Sequence, residues 1–211
     1  MIRINELKLP LDEDEKELYR LAAKALKIGE RHIRELTICK KSVDCRKKDD
    51  IKFIFSVDVT LDIDEKRVAS KAGNRVSLSE KSVYTLPPVK RKSTLRPVIV
   101  GFGPAGMFAA LTLTEAGLSP IIIERGETVD ERTASVKSFW RTRVLNPESN
   151  VQFGEGGAGT FSDGKLNTGI KDKRIIWMLE QFVEHGAPEH ILYDAKPHIG
   201  TDLSLIHISE P

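Results

Sequence analysis

The sequence predicts an α/β protein in which a small α+β unit precedes a parallel sheet with crossover helices. Two observations lead to this fold class. Residues 1–85 show apolar patterns in the order strand, helix, strand, strand, whereas residues 97–123 show strand, glycine-rich turn, helix, strand. The charge changes as well: residues 1–96 carry a net charge of +7 and residues 97–211 a net charge of −5. The two parts of the chain therefore differ in both their predicted secondary structure and their net charge.

The charge change and a proline-rich stretch set the predicted domain boundaries. The segment LPPVKRKSTLRP at residues 86–97 has three prolines and four basic residues, which is typical of a linker. We therefore predict an α+β domain at 1–85, a linker at 86–96 and a second domain at 97–202. Residues 203–211 match no pattern before them, and we interpret them as a non-native tail.

Hydrophobic periodicity predicts the elements of the first domain. Ile2 and Ile4 alternate with polar neighbours, which indicates a strand that ends at Pro10. Residues 11–28 are predicted to be helical up to Gly29. Their apolar residues recur at helical spacing, at Leu18, Leu21, Ala25 and Ile28. Residues 33–46 and 51–63 then have the composition of two strands joined by a polar turn, which predicts a hairpin.

Residues 97–124 carry the spacing of a dinucleotide-binding turn. An apolar, β-branched strand at 97–100, predicted to be buried, leads into Gly101, Gly103 and Gly106 at GxGxxG spacing. These glycines permit, in turn, a tight turn, close approach of a pyrophosphate and close packing of the next helix. Glu124 ends the second strand, where a carboxylate accepts hydrogen bonds from ribose hydroxyls. We therefore predict a dinucleotide site.

A second glycine-rich loop, FGEGGAGTFSDGKLNTG, occupies residues 153–169. Glycine at this density is costly in backbone entropy, which indicates that the backbone lies close to a ligand. Gly159, Gly164 and Lys165 also satisfy the spacing of a mononucleotide P-loop. Leu166 replaces the Ser or Thr that would hold magnesium, however, and no apolar strand leads into the loop. The P-loop is therefore the less favoured interpretation.

Two further helices are predicted around this loop. Thr128 and Glu131 have the spacing of a capping box, so a helix is expected to begin there. Residues 173–186 carry an apolar face at helical spacing and end at Gly186. Neither segment contributes a recognisable set of metal ligands, and we predict no metal site.

Residues 98–126 and 149–169 together resemble the FAD-dependent dehydrogenases of the glutathione-reductase-like FAD/NAD(P)-binding superfamily. The resemblance is closest to an uncharacterised bacterial group of FAD-dependent oxidoreductases whose members carry a strand–helix–strand module in front. It covers most of residues 1–202 and implies a Rossmann-type FAD-binding domain. This superfamily completes its flavin site with downstream segments, including a Gly-Asp element, that this sequence lacks. We therefore expect an N-terminal fragment with an incomplete Rossmann-type domain, inactive and with weak or absent FAD binding.

The resemblance implies roles for individual residues. The turn residues Gly101, Gly103, Pro104, Ala105 and Gly106 would surround the FAD pyrophosphate. Glu124 would bind the adenosine ribose, Arg125 would flank the adenine, and Arg132 is a second candidate for that end of the cofactor. The backbone of Gly156, Gly157, Ala158, Gly159 and Thr160 would pass near the pyrophosphate and flavin. Ser162 and Lys165 would approach the isoalloxazine, where a cation stabilises the reduced anionic flavin. The catalytic residues stay unassigned.

The predicted function is that of an FAD-dependent oxidoreductase acting on an unidentified small-molecule substrate, with NAD(P)H as a candidate electron donor. Two alternatives remain. NAD could occupy residues 101–124 in place of FAD, or the protein could be a non-catalytic nucleotide sensor whose basic first domain recruits RNA or a protein. Acids interleave the basic runs and aromatics are sparse there, so we do not expect nucleic-acid binding. No apolar run approaches the roughly 20 residues of a membrane span. The N-terminus lacks a secretory signal, so a cytoplasmic protein is expected.

Overall fold

The computed structural model describes residues 1–81, 83–90 and 94–199 of this mixed α/β protein. The chain divides into two compact units. The first comprises Met1–Ser82 together with Glu189–Pro197, and the second comprises Val83–Pro188 together with His198–Pro211. The predicted tail at 203–211 lies outside the described residues. Among the helices that the structure describes, none has the length and apolar character required to cross a bilayer.

The first unit is a four-stranded antiparallel sheet with two helices. Its elements follow the order of a ferredoxin-like motif: strand, helix, strand, strand, helix, strand. They are β1 (Ile2–Pro10), α1 (Glu17–Leu26), β2 (Ile33–Asp44), β3 (Lys52–Leu61), α2 (Glu65–Lys71) and β4 (Val76–Leu78). The sheet order is β2-β3-β1-β4, so β2 and β4 form its edges.

The predicted hairpin and first helix are confirmed, with corrections at the helix boundary. β2 and β3 pair antiparallel, as the polar turn indicated. Helix α1 begins at Glu17, not at residue 11, and it ends at Leu26, because Lys27 adopts a left-handed conformation (φ 57°) and its N–H bonds back to the carbonyls of Ala23 and Lys24. The buried face of α1 consists of Leu18, Ala22, Ala23 and Leu26. Of the predicted apolar stripe only Leu18 is fully buried; Leu21, Ala25 and Ile28 pack around the core's margin.

A β-bulge in β1 keeps its apolar residues on one face. Strand periodicity alone would place Ile4 and Leu7 on opposite faces of the sheet, because they are three residues apart. The pairing with β3 shifts register between these two residues, and Glu6 adopts a positive φ of 59°. Ile2, Ile4, Leu7 and Leu9 are therefore all buried in one core together with Phe55, Val57 and Val59 of β3.

A segment distant in sequence completes the first unit. Residues Glu189–Pro197, which we call the returning segment, lie along the edge strand β2. The N–H of Lys41 donates to the carbonyl of Tyr193, and the N–H of Ala195 donates to the carbonyl of Lys41, both over 2.8 Å. Ile191 within the segment is only 1% exposed. The returning segment is thus packed as part of the first unit.

The second unit is built around a two-stranded parallel sheet. Its elements are β5 (Val98–Val100), α3 (Pro104–Glu115), β6 (Ile121–Ile123), α4 (Val129–Thr142), a 3₁₀ turn at Gly157–Phe161 and α5 (Arg174–Glu184). The parallel pairing of β5 with β6 is confirmed. The predicted burial of β5 is wrong, since Val98 is 57% and Val100 85% exposed. Among the described residues these two strands pair only with each other, so no neighbouring strand shields their outer edges.

Candidate functional site

The glycine turn lies at the junction of β5 and α3, as its spacing predicts. Gly101 has a φ of 98°, which only glycine adopts readily, and its N–H donates to the carbonyl of Ile123 over 2.7 Å. A Cβ at Gly106 would lie 2.1 Å from the carbonyl oxygen of Gly101, closer than any real contact. Gly101 thus has the turn conformation, and Gly106 the close packing, that the spacing predicts, while their contacts with a cofactor stay predictions.

No side chain caps the N-terminus of helix α3. Gly103 is the N-cap residue. Pro104, the first helical residue, has no N–H, so Ala105 and Gly106 offer the first N–H groups of the helix. Such unpaired N–H groups, together with the helix dipole, form an anion site.

The second glycine loop lies directly beside this helix start. The N–H of Gly156 donates to the carbonyl of Phe102 over 2.8 Å. A Cβ at Gly157 would lie 3.1 Å from the Cα of Gly103 and 3.2 Å from the Cδ of Pro104. Gly159 also lies near Pro104, within the 3₁₀ turn that carries Ala158 and Thr160. The two glycine loops are therefore in backbone contact.

Glu124 lies at the end of β6 with its carboxylate turned towards the glycine turn. Its Oε2 accepts from the N–H of Phe102 over 2.6 Å, and its Oε1 accepts from the N–H of Gly126 over 2.8 Å. Burial opposes ionisation, but these amides and the charge of Arg132 outweigh it and lower the pKa of Glu124. Each carboxylate oxygen keeps a second lone pair for a further donor such as a hydroxyl.

Arg132 is fully buried beneath the second glycine loop, with 0% of its surface exposed. Its Nε donates to the carbonyl of Asn150 over 3.0 Å, and its Nη1 donates to the carbonyl of Glu155 over 2.6 Å. The guanidinium also lies 4.9 Å from the ring centre of Phe161. Burial lowers the pKa of Arg132, although the charges of Glu124 and Glu155 oppose this. Its Nη2 has no hydrogen-bond partner among the described residues.

Part of the glycine density in the second loop serves the packing of the chain itself. A Cβ at Gly126 would lie 2.4 Å from the Cα of Gly154. Gly154 has a φ of 109°, and a Cβ there would lie 2.8 Å from the Cδ of Arg132. Thr160 is also buried and donates to the carbonyl of Glu155 over 3.1 Å. The backbone is therefore closely approached, as the glycine density indicated, but at these glycines the neighbouring atoms belong to the protein and not to a ligand.

Helix α4 differs from α3 because its N-terminus is already occupied. Thr128 and Glu131 form the predicted capping box. The carboxylate of Glu155 accepts from the N–H of Val129, the first helical residue, over 2.6 Å. A carboxylate therefore already occupies the anion site of α4. Of these two helix starts, the one that lacks a side-chain cap is that of α3.

The remaining predicted site residues lie in more exposed positions. Arg125 pairs with Glu148 over 3.0 Å and lies 4.9 Å from the ring centre of Phe153. Lys165 pairs with Asp163 over 2.6 Å, which raises the pKa of Lys165 and lowers that of Asp163. The hydroxyl of Ser162 accepts from the N–H of Gly164 over 3.2 Å. Their predicted contacts with the cofactor stay predictions.

Sequence reasoning missed three groups that build the site. These are the N–H of Phe102, the N–H of Gly126 and the Glu155 side chain. Gly126 has a signal in the sequence, since it is the glycine that follows the Glu124–Arg125 pair. The cap from Glu155 has none, because it joins the loop to a helix start 26 residues earlier.

Two family models match this chain. Residues 1–60 match a domain of unknown function (DUF8436), and residues 96–140 match an FAD binding domain. The second range contains the glycine turn, Glu124 and Arg132. FAD is therefore the cofactor that this segment binds.

Two curated proteins are similar to the chain. An uncharacterized protein of Clostridium beijerinckii (strain ATCC 51743 / NCIMB 8052) is 48% identical over 204 residues, which cover 96% of this chain and 38% of that protein. The dual trans-enoyl reductase/FAD-dependent monooxygenase tazHJ of Aspergillus terreus (strain NIH 2624 / FGSC A1156) is 40% identical over 65 residues, 29% of this chain and 9% of that protein. The chain thus spans well under half the length of either relative.

Proposed function

We propose that this chain holds the ADP half of FAD within a flavin-dependent oxidoreductase. The diphosphate would lie at the start of α3, where Ala105 and Gly106 offer N–H groups and Gly103 has no side chain in the way. Glycine at position 157 keeps the facing loop free of side chains as well. The residues present therefore fit a dinucleotide diphosphate.

The adenosine ribose would bind to Glu124. Its carboxylate is already oriented by the amides of Phe102 and Gly126 over 2.6 and 2.8 Å. This carboxylate is ionised at neutral pH, since its pKa lies below the ordinary 4.5, and an ionised carboxylate can accept from two hydroxyls. An anionic side chain here also disfavours a ribose that carries a 2′-phosphate. The orientation of Glu124 by the glycine turn is the observation on which the proposal rests.

The flavin end of the cofactor would lie towards Ser162 and Lys165. Ser162 accepts a hydrogen bond within its own loop, and Lys165 is exposed and paired with Asp163. Bound FAD would supply hydride transfer. Lys165 would then contribute a positive charge near the reduced flavin. We propose NAD(P)H as the electron donor, and the substrate as a small molecule of unassigned class.

The wider proposal is a Rossmann-type FAD domain in a bacterial oxidoreductase. It draws support from the FAD binding domain match at residues 96–140 and from the 48% identical bacterial relative. The fungal relative is named as a dual trans-enoyl reductase/FAD-dependent monooxygenase, which supports flavin chemistry in general. We do not propose nucleic-acid binding by the first unit, because Arg3 and Arg46 of its basic surface are paired with Asp58 and Asp44.

Calorimetric titration of the 211-residue chain with ADP, FAD and NAD tests this proposal. We expect weak binding of ADP and FAD, with dissociation constants within a factor of about three, a free-energy difference below about 1 kcal/mol. Glu124→Gln should weaken both by about tenfold, or about 1.4 kcal/mol. Glu115→Gln, an exposed carboxylate at the end of α3, is the matched control and should change neither. Absence of ADP binding would overturn the proposed site, and stoichiometric flavin in the purified chain would overturn the expected weak affinity.

A further inference from the structure

We infer that Arg132 is a positioning residue that holds the second glycine loop against the glycine turn before any ligand binds. This differs from a direct contact with the adenine end of the cofactor. The part of the inference that concerns the free protein is independent of the proposed function. Only its consequence for ligand affinity rests on that function.

Arg132 holds the chain just before the second glycine loop and again near the start of that loop. The Nε bond fixes Asn150, three residues before the loop begins, and the Nη1 bond fixes Glu155 between Gly154 and Gly156. Nη1 also lies 3.4 Å from the hydroxyl of Thr160, and the ring of Phe161 lies across the guanidinium. The planar fork of arginine, with five donors, makes these contacts at once, which a lysine ammonium cannot do.

The fixed loop residue is directly joined to the glycine turn. Glu155 precedes Gly156, whose N–H donates to the carbonyl of Phe102 over 2.8 Å. Phe102 in turn donates from its own N–H to Glu124. A continuous set of hydrogen bonds therefore runs from Arg132 through the second loop and the turn to the carboxylate.

Burial argues for positioning rather than ligand contact. Arg132 is 0% exposed, so none of its atoms is open to a cofactor in this structure. The aliphatic stem is also covered, since Gly154 packs against its Cδ. The charges of Glu124, just after β6, and Glu155, on the loop, offset part of the cost of burying its charge. A fully buried arginine that donates to backbone carbonyls fixes a chain conformation.

The first test is amide hydrogen exchange of the ligand-free chain by NMR. Arg132→Lys keeps the charge and loses the fork, and Arg132→Met loses both. We expect the amides of Gly156 and Ser162 to exchange about tenfold faster in both variants, because the loop opens more often. The amide of Lys41 in the first unit should be unchanged. Arg141→Met, an exposed arginine on the same helix, is the matched control and should alter none of them.

The second test is the pH profile of ADP binding, which a merely structural role would not change. The positive charge of Arg132 helps to lower the pKa of the Glu124 carboxylate. In Arg132→Met the acidic midpoint of ADP binding should therefore move to higher pH. Arg132→Lys should restore the midpoint while leaving the exchange of Gly156 fast.

The outcomes separate the inference from its rivals. Unchanged exchange at Gly156 in both variants, with weakened ADP binding, would show direct ligand contact and overturn it. If the wild-type chain binds no ADP, the proposed site fails, but the exchange comparison still decides the role of Arg132. Should Arg132→Met fail to fold, Arg132→Lys carries the same exchange test, and slow exchange there overturns the inference.

Discussion

The N–H of Phe102 donates to Oε2 of Glu124 over 2.6 Å, across 22 residues of chain. This bond joins the residue between the first two glycines to the acid at the end of the neighbouring strand. It fixes the direction of the carboxylate without help from a ligand. The turn and the acid therefore form one preorganised unit, and preorganisation reduces the entropy lost on binding.

Gly106→Ala should disrupt the second unit. The added Cβ would lie 2.1 Å from the carbonyl oxygen of Gly101, a backbone atom that cannot move aside cheaply. We expect a loss of about 1–3 kcal/mol in the free energy of unfolding and loss of ADP binding. Urea unfolding followed by circular dichroism measures the first, and calorimetry the second. Gly73→Ala is the control, since nothing lies within 4 Å of a Cβ there, and it should be neutral.

Stability should depend on pH through Glu124. Its pKa in the folded protein is below the ordinary 4.5, so its contribution to the free energy of unfolding is present above that pH. The contribution is lost as the pH falls through the lower, folded-state pKa. Wild type should therefore exceed Glu124→Gln in stability at pH 7 by about 1 kcal/mol, and the difference should shrink as the pH falls below 4.5. A constant difference across this range would contradict the assignment.

Lys27→Gly should stabilise the first unit. Lys27 ends α1 in the left-handed region, at a φ of 57°, where a side chain is strained and glycine is not. We expect a gain of about 0.5–1 kcal/mol in unfolding by urea. Lys24→Gly, at an exposed position inside the same helix, should instead lose about 1 kcal/mol. Equal effects at the two positions would show that the backbone conformation at Lys27 carries no strain.

Ile191→Asp should release the returning segment from β2. Ile191 is 1% exposed, and a buried carboxylate without a partner is strongly unfavourable. We expect the amides of Lys41 and Ala195 to exchange at least tenfold faster, because the segment that pairs them is lost. Ile170→Asp, at a side chain that is 65% exposed, is the control and should leave both amides protected. Protected amides in Ile191→Asp would mean that backbone pairing alone retains the segment.

The sequence correctly predicts the elements whose conformation depends on a few neighbouring residues. The glycine turn, the capping box of Thr128 and Glu131, and the hairpin of β2 and β3 all depend on residues close together in the chain. Helix α2 was missed, because its seven residues bury no side chain fully and carry no clear apolar face. Its start is marked only by Asp64, which accepts from the N–H of Arg67.

Contacts between distant parts of the chain could not be predicted in this way. The family resemblance made Arg132 a second candidate for the adenine end, but nothing local in the sequence indicates that it would bond to Asn150 and Glu155. The returning segment gave no signal either: within the part of the chain that the structure describes, a single bridge between Lys41 and Asp194 pairs it with β2, so it forms no strand whose pattern could be recognised. Contacts between residues that are distant in sequence depend on the tertiary fold, and the periodicity of a single segment contains no information about them.

The returning segment has a consequence for synthesis on the ribosome. The first unit cannot acquire its final outer edge until residues 189–197 have left the exit tunnel, long after residues 1–81 have emerged. Until then the backbone groups of Lys41 lack their partners and remain available to strands of other nascent chains. Slow translation of the intervening stretch would therefore prolong the interval in which newly made molecules are prone to aggregate.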